Sequence, residues 1–437
     1  MFHLILAALV SVGSSESNRT SYDTLPLSQA QDTVILVKEA KLPKAPVSHS
    51  TSSRQTSRAS PDLRVISLGG ALTSGYRNDG LYREAQQWAY PNLLARQMGV
   101  PFEQPLFSKD KGNGTGYIHL SRTATGWNRK RVTNHMASVD GNEQLEAYTG
   151  KKLNNFAMPH FSRRMDHSSS LADRVQPFLN RLSAVSDGTG KQRLASWIGS
   201  IDLQSDVFLV EVGFDDLVQS LKTDGAGISQ LHFETIDQTD EMRLIATLAE
   251  RGQKGLLMTV PDVSKLPYFQ QYCWEVLKKK PVSLTLYRST SKAPVPFDPE
   301  MDLLLPGETA ERIMDGRLTG AILLKDVEVL SADPYDNEML VANPETFNTY
   351  KIRRAAAKYN LAVVDLHALY SKILSGTYVT DHGVKVNPAW PEGNFFSADG
   401  LYPTALGQAI IANECIRTIN AHYTMDIPLV DTRAIEN

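Results

Sequence analysis

Five short runs of apolar and β-branched residues punctuate the chain beyond Pro61: RVISLGG, KLNNFAMPH, DVFLVEVGFDD, KGLLMTVPD and LAVVDLH. Each closes around Gly, Pro, Asp or Asn, and most are followed by residues with helical periodicity. Strands that are apolar on both faces and alternate with helices predict a parallel sheet covered on both sides. The expected fold class is therefore α/β, a three-layer α/β/α sandwich with about five parallel strands. Ligands of such sheets bind beyond the carboxyl ends of the strands. The positions that close the runs are the ones to inspect: Ala71, His160, Asp215, Asp216, Asp262 and Asp365.

Two stretches break the alternation, about 101–151 and 267–341. Both mix polar and apolar residues and contain Gly, Pro and Asn, which predicts long loop insertions forming walls or a lid over the strand ends. A separate small domain in the second stretch is the alternative. At the N-terminus, an apolar run from Phe2 to Val12 followed by small residues fits a signal peptide over 1–17 and is too short for a membrane span. Residues 18–61 are rich in Ser, Thr and Pro and read as a flexible linker, with DTVILVKEA as a candidate isolated strand. The folded domain is expected over 62–425, with a short tail over 426–437.

Composition adds exclusions. With 42% hydrophobic and 21% charged residues the 437-residue chain can bury a sizeable core, and its net charge of -3 gives no bias towards nucleic acid. Beyond the first residues, no stretch reaches the roughly 18 uninterrupted apolar residues of a transmembrane helix. Cys273 and Cys415 are too few for a disulfide framework, and whether they pair is left open. The expected location is secreted, periplasmic or cell-surface, without a cysteine in the signal region for lipidation.

Four blocks carry a family resemblance. The chain has Gly69-Gly70-Ala71-Leu72-Thr73, then Asn154-Asn155-Phe156-Ala157-Met158-Pro159-His160, then Gly213-Phe214-Asp215-Asp216, and last Asp399-Gly400-Leu401-Tyr402-Pro403. In this order they resemble the GDSL or SGNH hydrolases, esterases and acylhydrolases on a flavodoxin-like sandwich. They look most like a branch of secreted bacterial members whose first block continues into segments matched here by Leu81–Gln86 and Tyr90–Leu93. The resemblance implies a serine nucleophile at Ala71, an oxyanion-binding glycine at His160, an oxyanion-binding asparagine at Asp215, and a catalytic histidine at Tyr402. Only Asp399 keeps the expected residue type of the catalytic pair.

Each of these substitutions has a chemical meaning of its own. Alanine has no nucleophilic atom, which closes the acyl-enzyme route at that position. A phenol with a reference pKa of about 10 is a poor base beside imidazole. An ionised Asp215 accepts hydrogen bonds where an oxyanion needs donors. Yet the frame of turn glycines and Pro159, Gly213, Asp216, Asp399 and Pro403 is intact. The resulting expectation is a secreted pseudoenzyme that binds a small ligand, a glycan or lipid fragment, or an envelope protein. Its cleft would involve Gly70, Ala71, His160, Asp215, Asp216, Asp399 and Tyr402.

The alternative is an ester hydrolase of altered mechanism. No cofactor is expected, but His160, Asp215 and Asp399 form the candidate ligand set if a metal were to activate water. Against it stands a structural role, with Asp399 capping the last helix and Asp215 pairing with His160. Ser74 is a candidate displaced nucleophile, while His119, His367 and His382 are candidate bases. Five tryptophans, Trp88, Trp127, Trp197, Trp274 and Trp390, are divided between core and a binding groove.

Overall fold

The computed structural model describes residues 37–44, 63–124, 126–138, 144–150, 152–161, 169–182, 197, 199–222, 240–288, 291–331 and 344–435. The signal-peptide segment and most of the linker, including the first part of DTVILVKEA, lie outside the described residues.

In chain order the strands are β1 (Val65–Leu68), the pair β2 (Tyr117–Thr123) and β3 (Gly126–Val132), then β4 (Val207–Val210) and β5 (Lys254–Met258). The second insertion contributes β6 (Val282–Leu286), β7 (Val295–Pro296), β8 (Asp302–Leu304), β9 (Gly320–Leu324) and β10 (Val329–Ser331), and β11 (Ala362–Val364) follows. The central sheet has the order β1-β4-β5-β11, and every pairing in it is parallel. The second apolar run, KLNNFAMPH, lies along the free edge of β1: Ser67 N–H donates to Asn154 O at 2.8 Å, and Phe156 N–H donates to Ser67 O at 2.8 Å. It makes one parallel bridge, Ser67 with Asn155, and is not a full strand.

The alternation that marks a doubly covered sheet is visible in the packing. Val65, Val207, Leu209, Leu256, Met258, Ala362 and Val364 join one core, together with the closing helix Ala405–Tyr423. Ile66, Leu68, Phe208, Val210 and Leu257 face the opposite core. Both faces are thus removed from water, which explains why these runs carry no polar alternation. The closing helix starts at Thr404, whose hydroxyl accepts from Gly407 N–H at 3.2 Å. Pro403 sits just ahead of that cap. Buried Gln408 ties this helix to the first block, accepting from Tyr90 N–H at 2.9 Å and donating to Leu72 O at 3.2 Å.

The insertions are more ordered than a loop reading implies. The first contains the antiparallel hairpin β2–β3. The second contains a three-stranded sheet, β7-β6-β9, the antiparallel pair β8–β10, and the helix Glu308–Met314, around a core of its own. Residues 37–44, expected as linker, pack on the domain: Ala40 N–H donates to Gln87 Oε1 at 2.7 Å, and Arg83 meets Glu39 at 2.7 Å. The expected tail is also packed, with Ile427, Val430 and Ile435 buried and Val430 N–H donating to Asn413 Oδ1 at 2.7 Å. Cys273 and Cys415 are free thiols. No described helix is long and apolar enough to cross a membrane.

Candidate functional site

The carboxyl ends of β1 and β4 bring the first and third blocks together. After β1 the chain turns through Gly69, at φ +158°, into the short helix Ala71–Ser74. After β4 it turns through Gly213, at φ +92°, into the helix Phe214–Lys222, with Asp215 and Asp216 in its first turn. The segment beside β1 ends at His160, which takes the left-handed φ of +64°. That conformation suits glycine, the residue the family resemblance implies there, and a side chain holds it at a cost of about 1 kcal/mol.

The Asp215 carboxylate is the hub of this arrangement. Its Oδ2 accepts from Ala71 N–H at 2.9 Å and from His160 N–H at 2.9 Å. Its Oδ1 accepts from the Tyr402 hydroxyl at 2.8 Å. The four positions at which this chain departs from the resemblance are therefore in one hydrogen-bonded cluster. Ala71, Asp215 and Tyr402 are each below 5% exposed, so the cluster lies inside the protein. Gly70 leaves it the necessary room, since a Cβ there would stand 2.6 Å from Asp215 Oδ2.

The contact between Asp215 and His160 runs through the backbone N–H. The imidazole itself meets the Gln219 amide, at 3.3 Å from Nδ1. Asp399 is placed differently from a helix cap: Oδ1 accepts from Leu401 and Tyr402 N–H at 2.8 and 2.9 Å, and Oδ2 accepts from Asp79 N–H at 3.1 Å. It fixes the turn that presents Tyr402, and the cap is Thr404. Asp216 is buried in the same helical turn as Asp215.

Burial dominates the electrostatics. It pushes the Asp215 carboxyl up to about 8, helped by the nearby Glu211 charge and opposed by the Ala71, Tyr402 and His160 hydrogen bonds. Glu211 is raised too, first by burial, with the Gly70 and Thr73 hydrogen bonds pulling the other way. Asp399 is raised by burial against its three N–H donors. The Tyr402 phenol is held well above its ordinary range by burial and by Asp215, which keeps it a donor. Lys222, at the far end of the same helix, is pushed down to about 7 by burial, with Asp399 acting in the opposite direction.

Other sequence candidates have local structural partners. Ser74 is buried and donates to Ala71 O at 2.9 Å. His367 meets Glu345 at 3.0 Å, and His382 lies 3.5 Å from the Thr432 hydroxyl. No hydrogen bond among the described residues joins His119, His367 or His382 to Ala71, Asp215 or Asp399. Asp262 caps a short turn by accepting from Ser264 N–H at 3.1 Å. Asp365 caps the helix Leu366–Leu374 and pairs with Arg353 at 2.9 Å.

The proposed metal set does not converge as ligands. Both carboxylates are turned onto N–H and O–H donors, and no group of three or more His, Cys, Asp or Glu suited to a metal occurs among the described residues.

Glu211 is the group that sequence reasoning missed. Its Oε2 accepts from Gly70 N–H at 3.0 Å and from the Thr73 hydroxyl at 3.0 Å, and Thr73 in turn meets the Tyr90 hydroxyl at 2.9 Å. The signal was present as a single charge within VFLVEVG, an otherwise apolar run. Tyr76 was also missed. Its ring packs edge-on against Tyr402 and His160, with centroids 5.3 and 6.3 Å away.

The sequence matches no protein-family model and no curated protein. In structure the chain is similar to Axe2, an acetylxylan esterase from Geobacillus stearothermophilus, at 11% identity and a TM-score of 0.32, over 83% of this chain and 96% of that one. It is also similar to LAE5, an α/β hydrolase enzyme from the metagenome of Lake Arreo, at 12% identity and a TM-score of 0.33, over 84% and 97% of the two chains.

Proposed function

We propose that this chain is a non-hydrolytic binding protein built on an SGNH-hydrolase-like frame, with its own Asp215 filling the place where an acyl-transfer oxyanion would sit. One observation carries the reading: a single carboxylate oxygen, Asp215 Oδ2, accepts both Ala71 N–H and His160 N–H at 2.9 Å. By the family resemblance, the N–H at position 160 is one that would face a tetrahedral intermediate, and the Ala71 N–H points to the same oxygen. Effective oxyanion donors lie about 2.7 to 3.1 Å from the developing charge. An oxygen already bound at that range occupies the place and engages both donors.

The rest of the cluster agrees with this reading. Ala71 supplies no attacking atom, and the protonated Tyr402 phenol donates to Asp215 and has no basicity to offer near neutral pH. The apolar run Phe2–Val12 supports export, so an extracytoplasmic binding role is part of the proposal.

The test is hydrolysis of short-chain nitrophenyl esters by the purified full-length protein, with a fluorophosphonate probe read by intact mass. No turnover above the uncatalysed rate and no mass increment are expected. Turnover that follows the protein through successive columns, or a stoichiometric adduct, would refute the proposal.

A further inference from the structure

A second cleft lies between the β2–β3 hairpin and the loop that precedes the closing helix. It encloses about 340 Å³, and none of Ala71, His160, Asp215, Asp399 or Tyr402 lines it. That volume is at the lower end for small-ligand sites. Its walls include Trp88, Trp127 and Phe396, with Glu84 and His119 among the polar groups between them. The two walls are joined by the Trp127 indole N–H, which donates to Glu392 Oε1 at 2.9 Å. The floor is held by Asn78, whose N–H donates to Ser397 Oγ at 2.9 Å and whose Oδ1 accepts from Ala398 N–H at 2.8 Å.

Two polar groups in this cleft have no protein partner among the described residues. Trp88 is only 4% exposed overall, and its indole N–H makes no hydrogen bond to another described residue. A ligand hydroxyl in the cleft could accept from it. His119 likewise lines the cleft without a hydrogen-bond partner. Burial, Lys38 and Lys130 all hold its imidazole below the ordinary range, so at neutral pH it is an uncharged donor and acceptor.

The charge of the lining selects among ligands. Arg77 and Glu84, the charged side chains of the lining, pair across 2.6 Å and leave no free ionic partner within it for an anion or a cation. An acyl chain would leave Trp88 N–H and His119 unsatisfied. A sugar ring answers both features. Its C–H face carries partial positive charge suited to the negative face of an indole, and its hydroxyls radiate from the edge towards donors and acceptors.

We infer that the cleft between the β2–β3 hairpin and the loop before the closing helix binds a neutral saccharide, with Trp127 as stacking platform and Trp88 N–H and His119 as hydroxyl partners. This gives the binding reading its ligand class, but it does not depend on Asp215 being inert.

The experiment is isothermal titration calorimetry of the full chain with cellohexaose, mannohexaose, maltohexaose and chitohexaose. Saturable binding of at least one is expected. Trp127→Ala should weaken it on the order of tenfold, Trp127→Phe should retain most of it, and His119→Ala should weaken it several-fold. Absence of binding by all four sugars would overturn the inference. So would equal binding by the parent and Trp127→Ala, or Trp127-dependent binding of a fatty acid or an anionic oligosaccharide in place of the neutral ones. Ester hydrolysis alongside Trp127-dependent sugar binding would refute the non-hydrolytic reading alone.

Discussion

Replacing Asp215 by Asn changes one atom at the hub and predicts a specific pH dependence. Asn keeps an oxygen to accept from Ala71 and His160 N–H, and its amide can donate to the Tyr402 oxygen, so it imitates the protonated carboxyl. The native carboxyl is raised from 3.8 to about 8, first by burial and then by Glu211. An acid whose folded pKa exceeds its unfolded value binds its proton more tightly in the native state. Its stabilising contribution is complete below about pH 4 and is lost as pH rises towards 8. A full shift of that size corresponds to an upper bound of about 6 kcal/mol, at ~1.4 kcal/mol per unit. Because Glu211 is raised as well and part of the effect on Asp215 comes from it, the part removed with Asp215 is about 2 to 4 kcal/mol at pH 8.

Urea unfolding at pH 5, 6.5 and 8 measures this. The parent should lose stability across that range. Asp215→Asn should be close to the parent at pH 5 and more stable at pH 8, with a shallower slope. Parallel profiles, or an Asn variant less stable than the parent at pH 8, would show that the buried carboxyl is not held protonated and would refute the reasoning.

Three further substitutions probe the same frame. Tyr402→Phe removes the hydroxyl on Asp215 Oδ1 and should cost about 1 to 3 kcal/mol at pH 8, read by the same unfolding curves. Gly70→Ala would place a methyl 2.6 Å from Asp215 Oδ2; it should displace the carboxylate and destabilise by about 2 kcal/mol or more, a loss that Asp215→Ala in the same chain should partly relieve. Thr404→Ala removes the cap of the closing helix and should lower stability by about 1 kcal/mol without altering the pH slope.

The strands were legible because they are buried on both faces, which writes an apolar run into the sequence at Val65–Leu68, Val207–Val210, Lys254–Met258 and Ala362–Val364. KLNNFAMPH was legible as an edge but not as a mere bridge. Asn154 donates through its side chain to Val65 O at 2.6 Å and Asn155 to Thr73 O at 3.1 Å, side-chain bonds that a run of letters does not show. The second insertion hid its sheet for another reason. Its core is small, and β6 shows only partial alternation of buried residues, so Val282–Leu286 resembles a mixed loop.

At the site, the ends of the apolar runs singled out Ala71, His160 and Asp215, and the family resemblance added Tyr402. The direction of the Asp215 side chain was not legible. It depends on the space left by Gly70 and Ala71 and on the left-handed turn at His160, and these are three-dimensional facts. The roles of Asp399 and Glu211 followed the same rule. A residue type can be read from a motif, but the N–H groups it will meet cannot.

The most direct measurement compares two restored chains in one fluorophosphonate experiment, read by intact mass over time. The first carries Ala71→Ser and Tyr402→His and keeps Asp215; the second adds Asp215→Asn and His160→Gly. If the Asp215 carboxylate fills the oxyanion position, the second chain acquires a stoichiometric adduct and the first remains unmodified or reacts at least about a hundredfold more slowly, the scale of losing oxyanion stabilisation. Equal labelling of the two chains would contradict the account.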